Sequence, residues 1–258
     1  MLLWPGYLWR YPGFNYPGPY KETNAMTGVH KRLEMVAEMI EAGQSVADIG
    51  ADHAWLAIYL AENRLAPAVI IGELSDGPYT RAWEAVRGSA FGDKIEVRQG
   101  NGLQVLELGE VGCVVLAGMG GETIVDILAY DWDKAGSFHK YVFQPMSKAE
   151  ILRQRLASRG WIIDDERLVE EHGYIYLAIT SHPGNCPYHL NSLELELGPY
   201  IIKADNPIKR LYITRYMQKC QRIYMELLGS PLHRNQVLAD EYREKNIALG
   251  EVLNANHS

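Results

Sequence analysis

The sequence predicts an α/β fold: a mostly parallel seven-stranded sheet ending in an antiparallel hairpin, followed by a C-terminal helical hairpin. Three observations predict it. From His30 to Arg159, strand-length apolar runs alternate with helical patterns, which argues for parallel strands covered by helices on both faces. Two further strand patterns then stand only four residues apart, over 161–169 and 174–180, and so short a link demands an antiparallel pair. After residue 190 the apolar period is helical to the end of the chain.

The elements follow in order. Leu33, Val36, Ala37 and Ile40 recur at helical spacing and Gly43 closes that helix. Residues 45–49 read as a buried strand, 55–65 as a helix and 68–74 as a second strand. Pro78 opens the next helix at a favoured first-turn position. Strands over 94–99, 113–117 and 141–144 follow, with helices over 122–130 and 148–159. Near the C-terminus, Ile213, Tyr216, Cys220, Ile223 and Leu227 form a helical seam. Gly229-Ser230-Pro231 breaks it, and Leu238, Tyr242, Leu249 and Val252 supply the returning stripe. The organisation is an irregular segment over 1–25, a sheet domain over 26–190 and a helical domain over 191–258.

Composition narrows the functional classes. With 258 residues, 47% hydrophobic and 22% charged, the chain is ordinary globular protein with one sizeable core. No apolar run approaches the roughly 20 residues of a membrane span. Cys113, Cys186 and Cys220 are too few and too scattered for a disulfide framework or a metal knuckle, so a reducing cytoplasm and no metal are expected. A net charge of −7 excludes a globally basic nucleic-acid binder but leaves room for a basic patch. A monomer is the expected state. Residues 1–20 hold seven aromatics, four prolines and three glycines, with Pro-Gly repeated three times, so no regular element forms there. That tract is either an extension without function or an aromatic arm that stacks on RNA or a partner.

The turn after the first strand carries the ligand argument. Asp48-Ile49-Gly50-Ala51-Asp52-His53 aims backbone N–H groups at the switch point of the sheet. A dinucleotide site wants a second glycine where Asp52 stands. A carboxylate there repels a pyrophosphate and tolerates a cationic ligand such as S-adenosyl-L-methionine. Glu73 ends the second strand 23 residues after Gly50, where an acid takes ribose hydroxyls, with Leu74 beside it. Asn101 and Gly102 at the third strand's tip suit an adenine edge. Taken singly these are ordinary loop residues; together, each at a strand's C-terminal end, they make a nucleoside cleft. Gly118-Met119-Gly120-Gly121 suggests either close backbone approach to a ligand or a plain helix-entry turn. Gln144 suits either a base edge or its own loop.

A parallel sheet ending in such a hairpin is the outline of the Rossmann-like class I methyltransferases. Members acting on exocyclic amines hold the amine with an Asn/Asp-Pro-Pro-aromatic turn, which is absent here. The sequence resembles the bacterial tRNA (adenine-22-N1)-methyltransferase family, TrmK. The matching pieces are Lys31-Arg32-Leu33, the run from Ala47 to Leu56, Gly72-Glu73, Asp76-Gly77-Pro78, the run from Arg98 to Leu103, Ala117 to Gly121, and Gln144-Pro145. Met146 stands where many members have Asn, and Asn101 where some have Asp. The resemblance implies S-adenosyl-L-methionine as cofactor, tRNA as partner and methylation of an adenine at N1. It implies cofactor contacts from Asp48, Gly50, Asp52, His53, Glu73, Leu74, Asn101, Gly102, Gly118, Met119 and Gly120, and RNA contacts from Arg32 and Gln144. Asp52 is the expected catalytic residue, its charge favouring the positive charge that arrives on adenine; the plainer role is cofactor binding alone. Residues 206–225 add Lys209, Arg210, Arg215, Lys219 and Arg222 with no acid between them, an expected phosphate-binding helix. The alternatives are a methyltransferase for another nucleobase or a small molecule, and a non-catalytic RNA-binding protein on a relict cofactor fold.

Overall fold

A computed structural model of the chain describes residues 30–229 and 233–254. The readings made for residues 1–25 lie outside the described residues. The sheet is built from β1 (Val46–Ile49), β2 (Val69–Glu73), β3 (Ile95–Gln99), β4 (Cys113–Gly120), β5 (Lys140–Ser147), β6 (Ile162–Glu171) and β7 (Tyr174–His182). Its order is β3-β2-β1-β4-β5-β7-β6. β1 to β5 are parallel, and β7 runs antiparallel to both β5 and β6. The order reverses at β1, so the C-terminal ends of β1 and β4 flank a switch point, where a sheet of this kind opens a crevice for a ligand.

Successive side chains of the central strands enter opposite layers. Val115 and Val142 point into a layer with Val36, Ala57 and Leu60. Leu116 and Phe143 point into a second layer with Ile124, Leu152 and Leu156. Both faces are dry, so these strands read as continuous apolar runs and not as alternation. The first layer is covered by α1 (Lys31–Glu38), α2 (Trp55–Glu62) and α3 (Asp76–Gly88). The second is covered by α4 (Gly121–Ala129), the short α5 (Trp132–Ala135) and α6 (Ala149–Ser158).

Two short helices, α7 (Ser192–Leu197) and α8 (Pro199–Lys203), lead into α9 (Pro207–Leu228) and α10 (His233–Asn254). α9 starts at Asn206, whose side chain accepts from the Lys209 N–H, with Pro207 in the first turn. Gln221 pairs with Asn246 and Met217 lies over Gly250, so the two long helices run antiparallel. Ile213, Cys220 and Leu249 are buried between them. Leu238, expected in the returning stripe, is 40% exposed, and Ala239 takes the buried position. Among the described residues no helix is long and apolar enough to cross a membrane.

Candidate functional site

The site lies over the C-terminal ends of β1, β2 and β4. Its floor is acidic. Asp48 is 4% exposed and Glu73 6% exposed. Asp48 pairs in register with Ile71, two residues before Glu73, so both carboxylates point to the side of the sheet that α1 to α3 cover. Burial pushes the Asp48 carboxyl up to about 7, aided by repulsion from Glu73 and opposed by the Arg32 guanidinium. Burial also raises Glu73, while the Asp52 N–H, which Glu73 accepts, works against the rise. Arg32 and Arg81 act on these carboxylates from a distance, but among the described residues neither carboxylate forms an ion pair, so the two favour a positively charged or hydroxyl-bearing partner.

Above them the chain turns sharply. Gly50 has φ +81°, a conformation that favours glycine, while a Cβ there would meet only the flexible end of Met119, at 2.9 Å. Asp52 (φ 44°) and Ala54 (φ 58°) adopt the left-handed conformation without being glycine. β4 runs on to Gly120 beside β5, through register shifts on either side of Met119. The expected strand end at Ala117 is therefore corrected: bulges let Met119 and Gly120 keep pairing with Pro145 and Ser147. Gly118 has φ +78°, and the nearest atom to a Cβ there is Nη1 of Arg32 at 3.9 Å, so backbone lies bare on the cleft wall.

Arg32 stands on the β4–β5 side of the site. Its Nη1 donates to Oε1 of Gln144 at 2.7 Å, and its guanidinium lies 5.7 Å from the Tyr176 ring centroid. Gln144 itself is fully buried and its amide nitrogen faces the Pro145 carbonyl and the Met146 sulfur. The expected base contact by Gln144 is thus corrected. Burial leaves it no surface, and it positions Arg32. Met146 closes this amide off with its sulfur at 3.4 Å.

Asp52 is engaged elsewhere. Its carboxylate takes Nε and Nη2 of Arg81 on α3 at 2.7 and 2.6 Å, and stands 3.6 Å from Nε2 of His53. These contacts lie beside β2 and α3. Leu74 is 61% exposed at the edge of β2, and Asn101 is exposed at the end of β3 before Gly102 opens a short 3-10 turn. Among the described residues no group of three or more His, Cys, Asp or Glu gathers as a metal site.

Residues 29–179 match a family described as methyltransferase domain. The tRNA (adenine(22)-N(1))-methyltransferase of Bacillus subtilis is 33% identical over 228 residues, 86% of this chain and 96% of that protein. The chain belongs to the tRNA (adenine-22-N1)-methyltransferase family. The crystal structure of the B. subtilis m1A22 enzyme TrmK is 32% identical, with a TM-score of 0.78 over 88% of this chain and 99% of that one. A Streptococcus pneumoniae protein solved with S-adenosyl-L-methionine is 30% identical, with a TM-score of 0.76 over 88% of this chain and 100% of that one.

For a member of the TrmK family, the C-terminal basic helix is less uniform than its sequence. Arg210, Arg215, Lys219 and Arg222 are exposed on α9. Arg215 Nη1 donates to the Gly173 carbonyl at 2.7 Å, and Lys219 lies 5.7 Å from the Tyr216 ring centroid. Lys209 is corrected out of the phosphate-binding set. It is 2% exposed, and its ammonium closes the C-terminal end of α8 by donating to the carbonyls of Ile202 and Ala204. Sequence reading missed Arg81 as the partner of Asp52, and Trp55, which packs with His30 and His53 at the mouth of the cleft. The Asp-His-x-Trp spacing was the one available signal for the latter.

Proposed function

We propose that the protein transfers the methyl group of S-adenosyl-L-methionine to N1 of adenine 22 in tRNA. The observation that carries this is the buried Asp48–Glu73 pair at the switch point, beneath the Gly50 turn. The pair is costly without a ligand and fits one that brings both ribose hydroxyls and positive charge. When bound, S-adenosyl-L-methionine supplies an electrophilic methyl group on a sulfonium centre.

In this reading Glu73 accepts from the ribose, and Asn101, Gly102 and Leu74 flank the adenine ring of the cofactor. Asp48, with the backbone of Gly50 and of Gly118 to Gly120, takes its amino-acid end. His53 lines the rim. Neutral adenine N1 already carries an in-plane lone pair, so no residue needs to remove a proton before attack. Rate then rests on in-line placement of N1 behind the methyl group. Arg32, fixed by Gln144, offers its remaining N–H groups to the RNA at the acceptor side. Asp52 shares its charge with Arg81 beside the ribose end, which supports cofactor holding over stabilisation of the methylated ring. Arg210, Arg215, Lys219 and Arg222 bind phosphate, and a tRNA substrate places the enzyme in the cytoplasm.

The test is transfer from isotope-labelled S-adenosyl-L-methionine to unmodified tRNA, followed by nucleoside analysis. The expected product is 1-methyladenosine at position 22. Label in another nucleoside would move the acceptor. Tight tRNA binding with no transfer would establish the relict-fold alternative.

A further inference from the structure

The tips of β4 and β5 are fastened to each other. A Cβ on Gly121 would run into the Lys148 carbonyl oxygen, so glycine is what lets the start of α4 lie against the residue that precedes α6. Lys148 itself holds φ 54°, a left-handed conformation uncommon for a residue with a side chain. Its ammonium donates to Oε2 of Glu122 at 2.6 Å, tying the start of α6 to the start of α4. Glu122 is the first charged residue after Gly118-Met119-Gly120-Gly121. Its side chain is 54% exposed, and among the described residues no donor takes its Oε1. One carboxylate oxygen is thus fixed in place while the other faces outward.

With the cofactor's ribose and adenine over β1 to β3, as read above, the crevice stays open over the tips of β4 and β5. That opening has two polar sides. Arg32, paired with Gln144, stands on the side of α1. Glu122, paired with Lys148, stands on the side of α4 and α6. Asp52 is held by Arg81 beside β2 and α3, at the other end of the crevice. Glu122 is therefore the carboxylate that the glycine-rich turn of β4 brings to the open end.

We propose that Glu122 determines base specificity: its outward carboxylate oxygen accepts a hydrogen bond from the exocyclic amine of the target adenine while Lys148 holds the other oxygen. In the transfer, the N1 lone pair forms the bond to the methyl carbon, and the electron pair of the sulfur–carbon bond returns to sulfur. The sulfonium becomes neutral and the adenine ring becomes a cation, with no proton lost. Resonance carries part of that charge onto the exocyclic nitrogen. The hydrogen bond to Glu122 therefore strengthens as transfer proceeds and favours the transition state over the bound substrate. Guanine would present a carbonyl oxygen to the carboxylate and leave both acceptors unpaired, so it is rejected. The inference rests on the adenine-N1 reading above and adds the group that recognises the base.

The test compares adenine with purine, which is adenine without its exocyclic amine, at position 22 of otherwise unmodified tRNA. Single-turnover methylation by the full-length enzyme is followed at saturating tRNA and S-adenosyl-L-methionine. N1 of purine is intrinsically the weaker nucleophile, but that factor is common to every variant and cancels when preferences are compared. Wild type should prefer adenine over purine about 10- to 150-fold more strongly than Glu122→Ala does, the equivalent of one charge-assisted hydrogen bond. Glu122→Gln keeps the shape of the side chain where Glu122→Ala might not fold, and its preference should also fall below wild type. Glu150→Ala removes another exposed charge from the first turn of α6 and should keep the wild-type preference. A wild-type adenine preference in either Glu122 variant overturns the proposal whatever the absolute rate, as does an equal shift in Glu150→Ala. A wild-type enzyme that methylates neither tRNA overturns the reading and the assignment together, whereas an active wild type whose preference survives at Glu122 overturns the assignment alone.

Discussion

A carboxylate at the end of β1 with 4% exposure costs the fold stability unless a cation arrives, and Asp48 makes that cost measurable. Its carboxyl is pushed up to about 7 by burial and by Glu73. Between the ordinary carboxylate range and that value, the folded state holds a proton that the unfolded state has released. Stability therefore falls as pH rises from about 4 to about 7 and stays low above it. Asp48→Asn removes the titration, and without cofactor it should be the more stable protein at pH 8, by about 2–4 kcal/mol, with the gap closing at pH 5. Urea unfolding at both pH values checks this, and an equal gap at both would be the failing result. The cofactor should stabilise wild type more at pH 8 than at pH 6, because only the ionised carboxylate welcomes a cation. Glu73 is the neighbouring case. Glu73→Ala removes the expected ribose acceptor and leaves the Asp52 N–H without its partner, so cofactor binding should weaken by about 1.5–3 kcal/mol. Unchanged affinity by calorimetry would take Glu73 out of the site.

At the scale of elements, what was legible was local. An acid and a glycine at a strand end, a proline in a first helical turn and a four-residue link between two strands are each decided by a few adjacent residues. Hence β1, α3 and the β6–β7 pair could be read directly. What failed depended on neighbours far along the chain. β4 runs past Ala117 only because bulges keep it paired with β5. Lys209 looks like its basic neighbours until α8 presents two carbonyls to it. The inward phase of α10 after the Gly229 break is set by α9, so Ala239 and not Leu238 is buried. The charge pattern of α9 carries its own prediction for the exposed cations. Changing Arg215, Lys219 and Arg222 together to Ala should weaken tRNA binding and reduce its log–log salt slope by about two to three. Cofactor affinity should be unchanged. A wild-type slope would put the RNA path elsewhere on the rim.

Across the whole molecule, a buried ion pair helps tie the sheet to the C-terminal helices. Arg153 on α6 and Glu166 on β6 have fully buried side chains and meet at 2.6 Å. The same guanidinium donates to the Leu195 carbonyl at 2.7 Å and the Glu196 carbonyl at 3.2 Å at the end of α7. The other oxygen of Glu166 accepts from the Tyr200 N–H at 3.0 Å. Glu196 in turn holds the Tyr216 hydroxyl of α9 and the Lys245 ammonium of α10. One guanidinium thus connects the second core layer to the base of the α9–α10 hairpin. No local pattern in the sequence announces it, since Arg153 and Leu195 are 42 residues apart. Breaking the pair from one side leaves a buried charge and the α7 carbonyls without donors. Arg153→Met should therefore destabilise the protein by about 3–5 kcal/mol. The double variant Arg153→Met with Glu166→Leu removes the stranded charge and should recover much of that loss. It still cannot replace the donors to Leu195 and Glu196, so the hairpin should remain loosely seated. The double variant is then expected to bind S-adenosyl-L-methionine like wild type while binding tRNA more weakly. Urea unfolding with paired cofactor and tRNA titrations decides it. Equal loss of both affinities would mean that Arg153 supports the sheet domain alone, and full recovery of tRNA binding would mean that the α7 carbonyls need no donor to seat the hairpin.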